Sequence, residues 1–91
     1  MNPKILLGSL ALDLERVASS YHNGSLETAK TFSAEALKRK KELKDFKLEI
    51  YIQDLLNKLD AVLSQKKPDD IAEDALMYST LFQNAALNEF S

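Results

Sequence analysis

Few side chains in this sequence could do chemistry, and their spacing limits what they could do. His22 is the single histidine, a residue type able to move a proton near neutral pH, and Arg16 precedes it by six positions with the fork geometry that holds a phosphate. Together they are the minimal pair for phosphodiester cleavage. On a straight helix a six-residue step turns two side chains about 120° apart, so they converge only where His22 lies past a helix end. Cysteine is absent, which removes thiol catalysis, disulfides and cysteine metal ligands together. No P-loop, nucleophile elbow or dinucleotide fingerprint is present. Asp69 with Glu73 and Asp70 with Asp74 pair carboxylates at helical spacing without a Glu-x-x-His partner. Acids at a helix start are accounted for by the helix dipole and by solvation. No catalytic residue, metal ligand or cofactor site is assigned, and the expectation is a non-enzymatic protein.

The second chemical feature is a run of charge. Lys38-Arg39-Lys40-Lys41-Glu42-Leu43-Lys44-Asp45-Phe46-Lys47 holds half of the twelve basic residues. Lys38, Lys41 and Lys44 form one helical row and Lys40, Lys44 and Lys47 another, a grouping that could neutralise phosphates with strong salt dependence. These five lysines are the candidate polyanion or nucleic-acid contact. Glu42, Asp45 and Glu49 dilute the run, Phe46 is its only aromatic, and the net charge of −2 gives no bulk pull on nucleic acid. A solvated helix face competes with the binding reading.

The elements that must position these residues are helical. Asn2-Pro3 starts a helix in which Leu7, Leu10, Leu14, Val17 and Tyr21 recur at steps of three and four, and His22-Asn23-Gly24-Ser25 ends it. Ser25 to Lys67 then runs without Gly or Pro, about 60 Å as one helix, so it either folds near Lys44 to Lys47 or stays straight and shares a core between chains. The folded alternative places Asp45 as the cap of a third helix carrying Leu48, Ile52, Leu55, Leu59 and Val62. Pro68-Asp69-Asp70 opens a fourth, with Ile71, Ala75, Tyr78, Phe82, Ala85 and Ala86 on its main face. The 91 residues therefore read as one all-α domain, two helical hairpins forming an up-and-down four-helix bundle, with helices at about 3–22, 25–44, 46–66 and 68–90.

Two local patterns are similar to known families. Arg16 and His22 resemble the arginine-x4–6-histidine motif of the HEPN helical-bundle domains, which would imply a ribonuclease with both residues in its site. In that family the motif falls later in the bundle and its second position is commonly polar, whereas here it lies in the first helix and Val17 follows the arginine. Tyr21, Gly24, Leu26, Ala29, Ala36 and Leu37 look like part of a tetratricopeptide repeat. The tryptophan and leucine-glycine pair of that repeat are replaced by Asp13, Arg16 and Val17, so the likeness is read as shared hairpin packing.

Apolar residues exceed what one bundle needs. Ile5 and Leu12 point about 150° from the Leu7 and Leu14 stripe, Leu76 and Leu87 lie to one side of the fourth helix's main face, and Met77 and Leu81 lie to the other. These six are the candidate interface. The basic stretch and the Asp69-Asp70-Glu73-Asp74 cluster fall at opposite ends of an up-and-down bundle, which an antiparallel homodimer would match. The expectation is a cytoplasmic interaction or scaffold module, self-associating or bound to another helical protein. No apolar run reaches the ~20 residues of a membrane span.

Overall fold

The local causes of each helix end are visible in the computed structural model, which describes residues 2–89. The Ile5 amide donates to Asn2 Oδ1 at 2.9 Å and Pro3 takes the first helical position, so α1 (Pro3–His22) begins where the sequence predicts. Its other end is a Schellman closure: the Ser25 amide donates to the Ser20 carbonyl at 2.8 Å and the Gly24 amide to that of Tyr21 at 3.1 Å. Gly24 has φ +75°, a conformation other residues adopt at a cost. α2 (Leu26–Leu43) follows. Ser25 occupies its cap position through the main chain alone, its carbonyl accepting from the Ala29 amide at 3.0 Å, and its hydroxyl makes no capping bond.

The stretch without Gly or Pro breaks into two helices. α2 stops at Leu43 and α3 (Ile50–Leu63) starts four residues later than expected. Side chains rather than a backbone breaker impose this stop. Leu43 and Leu48 are both buried and Phe46 packs half-buried against the core, whereas a continuous helix would turn Leu48 about 140° away from Leu43. Asp45 lies in the turn and is not the cap. Glu49 holds that position, without a side-chain bond, and the Gln53 side-chain amide donates to the Leu48 carbonyl at 2.7 Å to hold the entry. α3 also ends three residues early. Gln65 Nε2 donates to the Val62 carbonyl at 3.0 Å and to Asp74 Oδ2 at 2.9 Å, tying that end to the last helix. α4 spans Pro68–Glu89, and Phe90, the expected final residue, lies outside the described residues.

Each helix packs antiparallel against its sequence neighbours and α4 closes the ring on α1, giving the up-and-down four-helix bundle. The two pairings of α1, with α4 and with α2, are much the most extensive. Leu7, Leu10, Leu14 and Val17 of α1, Ile52 and Leu59 of α3, and Ala75 and Phe82 of α4 are wholly inaccessible. Tyr78 meets Phe82 edge to face at 6.3 Å between ring centres. Leu6 and Leu56 are buried as well, although neither belongs to the stripes named from the sequence. Ser79 of α4 donates to the Ala11 carbonyl of α1 at 2.7 Å in a buried setting. That bond fixes the level at which the two helices meet.

Truncating Phe82 to Ala removes a fully buried ring and should cost about 3–5 kcal/mol, whereas Ser79→Ala should cost about 1 kcal/mol. Urea unfolding monitored by circular dichroism measures both.

Candidate interaction surface

The six apolar residues left over by the sequence stripes stay uncovered in the bundle. Ile5 is 51% exposed, Leu12 44%, Leu76 54%, Met77 51%, Leu81 39% and Leu87 51%. They divide between the two flanks of α4. Leu12 and Leu76 line an open groove between α1 and α4 with Gly8, Glu15, Thr80 and Gln83. Ile5 is in phase with Leu12 at seven residues and Leu87 with Leu76 at eleven, each within about 20° on a helix of 100° per residue, so all four share this face. Leu81 instead lines the groove between α3 and α4 with Tyr51, Leu55 and Lys58, and Met77 is in phase with Leu81. From Ala75 to Asn88 α4 carries no charged residue. Its outward surface there is Leu, Met, Thr and amide side chains.

Gly8 sits in the middle of the α1/α4 face. A methyl group added at its Cα would meet nothing within 4 Å, so the bundle's own packing gives no reason for glycine. In a helix interior glycine costs roughly 1 kcal/mol relative to alanine.

The basic stretch is partly consumed by the fold. Lys40 is buried and paired with Asp60 of α3, which corrects its placement among the free lysines: its position on the helix turns it toward α3, where the neighbouring carboxylate neutralises it. Arg39 faces Asp13 of α1, Nε 3.4 Å from Oδ2. Lys38, Lys41, Lys44 and Lys47 remain exposed, interleaved with Glu42, Asp45 and Glu49.

Arg16 and His22 are not brought together. The Arg16 guanidinium lies over the Phe32 ring of α2, 5.3 Å from its centre, while His22 lines a groove on the opposite flank of α1 with Asp69, Glu73 and Leu76 of α4. The acids at the start of α4 do not converge as ligands either, and no group of three or more metal-ligating side chains occurs among the described residues. Among the described residues no helix is long and apolar enough to cross a membrane.

Asp13, which the sequence did not mark, is the most buried charged residue at 4% exposure. Burial pushes its carboxyl above the usual value. The Arg39 guanidinium opposes that rise, Glu35 adds to it and Arg16 reduces it. The available signal was position: Asp13 follows Leu10 by three residues and precedes Val17 by four, at the edge of the core stripe.

No protein-family model, curated protein or solved structure matches this chain.

Because the folded-state pKa of Asp13 is raised, protonation favours the fold. Its stabilising contribution is full below the unfolded value of 3.8 and is lost as pH rises through the folded value. Wild type and Asp13→Asn compared by urea unfolding across this range should diverge, wild type gaining stability relative to the variant as pH falls.

Proposed function

We propose that this protein is a non-enzymatic helical interaction module that associates with a second copy of itself through the uncovered apolar surface of α1 and α4. One observation carries the reading: four half-exposed aliphatic side chains, Ile5, Leu12, Leu76 and Leu87, share a single face on which α4 is uncharged for more than three turns. Scattered apolar residues on a surface are ordinary, but here two pairs, Leu12 near the level of Leu76 and Ile5 near that of Leu87, stand on one uncharged face, the composition of an interface. The bundle is also small, and burying this face against another protein would supply stabilisation that a chain of this length has difficulty finding alone. A homodimer is the simplest occupant because only one end of the bundle is acidic, and an antiparallel pair keeps the two acidic ends apart. At one end Lys4, Lys41, Lys44 and Lys47 are offset by Glu42, Asp45 and Glu49, and at the other Asp69, Asp70, Glu73 and Asp74 outnumber Lys66 and Lys67.

A cationic surface of Lys38, Lys41, Lys44 and Lys47 is the alternative. The pairing of Lys40 with Asp60 and of Arg39 with Asp13 weakens it. Two of the six basic side chains in the run are already committed to the bundle.

Light scattering of the wild type should give a dimer, and Leu12→Glu with Leu76→Glu should give a monomer with unchanged helical circular dichroism, since neither side chain is part of the core. Lys38→Glu, Lys41→Glu and Lys44→Glu together should leave the dimer intact. A wild-type monomer that elutes with nucleic acid and loses it in that triple variant would overturn the reading in favour of polyanion binding.

A further inference from the structure

The α1/α4 face has an internal symmetry that its sequence does not announce. Ile5 and Leu12 lie evenly on either side of Gly8 and Ser9 along α1. Leu76 and Leu87 lie evenly on either side of Leu81 and Phe82 along α4. The two midpoints fall at the same height. Ser79 bonds the carbonyl of Ala11, and stepping three residues back on α1 and three forward on α4, as antiparallel helices require, brings Gly8 level with Phe82. The midpoints agree to within about a residue, on the order of 1 Å at the helical rise. A two-fold interface needs this property: every contact residue must have its mate at an equal distance across one axis.

We propose that a second copy docks on this face in antiparallel orientation, about a two-fold axis lying in the interface at the level of Gly8 on α1 and of Leu81 and Phe82 on α4. This rests on the self-association reading and adds its geometry. Ile5 then meets the partner's Leu12, Leu76 meets the partner's Leu87, and Gly8 meets the partner's Gly8.

Three observations select this arrangement. Gly8 supplies the closest approach at the axis, and the open space above its Cα is what an absent partner helix would leave. Small residues at a crossing allow backbones to approach more closely than Leu or Ile would. Charge chooses between the two ways of stacking the layers. A parallel stack sets the acidic start of α4 beside its own copy, whereas the antiparallel stack sets it toward the end where Lys4, Lys41, Lys44 and Lys47 are offset by Glu42, Asp45 and Glu49, so like charge is kept apart. It also brings Lys4 within about two residues of the level of the partner's Glu15, and Glu15 lines the same groove. Finally, the Cα trace measures 35 × 19 × 19 Å, so one long face, widened by its side chains, is of the same order as the ~800 Å² per partner that a standard stable interface buries.

The chain has no native cysteine, so single-cysteine variants report proximity without ambiguity. Under mild oxidation Gly8→Cys and, separately, Gln83→Cys should form disulfide-linked dimers, because both positions lie near the axis. Leu76→Cys alone should not, while Leu76→Cys combined with Leu87→Cys should. Gly8→Leu, whose Cβ would meet nothing within 4 Å in one chain, should raise the dimer dissociation constant at least tenfold without lowering the thermal stability of the monomer. Self-linking of Leu76→Cys with Gly8→Cys and Gln83→Cys silent would overturn the antiparallel geometry. A wild-type dimer in which none of these positions links, and which Gly8→Leu leaves intact, would overturn the axis while leaving self-association standing; a monomer at every concentration would remove both.

Discussion

Between α1 and α4 the contact is built from large side chains on one helix and small ones on the other. α1 brings Leu7, Leu10 and Leu14, and α4 brings Ala75, Ala85 and Ala86 around the rings of Tyr78 and Phe82, all buried. Alanines let the helix axes approach, so this pairing is the most extensive in the bundle, and the Ser79 to Ala11 bond pins its register. The other helices are arranged around it. α2 is held to α1 through the Schellman turn and through Arg16 over Phe32, and α3 is held at its ends by the Phe46 and Leu48 connection and by the Gln65 to Asp74 bond.

That close pairing has a consequence on the opposite side. Two helices packed through their inner stripes make a flat layer whose outer surface is set by whatever lies opposite those stripes. Here it is Ile5, Gly8, Leu12, Leu76, Thr80, Gln83 and Leu87. α3 and α2 cannot reach it. The burial that stabilises the fold and the exposure that suggests a partner therefore come from one arrangement, and the register that aligns the two helices for packing also aligns their outer leucines about a common level.

Much of this was legible in the sequence because helical periodicity separates faces cleanly. The stripes on α1 and α4 matched burial almost residue for residue, and the six surplus side chains were identified by their angle to those stripes. The start of α3 was not legible. Leu48 fits the helical stripe as well as it fits an extended chain tucked under Phe46, and periodicity alone cannot distinguish the two. The basic run was over-read for a related reason. Lys40 is one position from Lys41 and 100° away, enough to turn it from solvent to a pairing with Asp60, which lies twenty residues on. Such partners depend on how helices are placed against each other, as do the burial of Asp13 and the empty space above Gly8.

The most direct test is a dilution series by NMR of the amide-labelled wild-type protein, because each residue then reports its own environment as association is reversed. Shifts that depend on concentration should cluster at Ile5, Gly8, Leu12, Leu76, Thr80, Gln83 and Leu87 and leave Lys38 to Lys47 unchanged. A spectrum independent of concentration, or changes confined to the α2–α3 turn, would contradict the account.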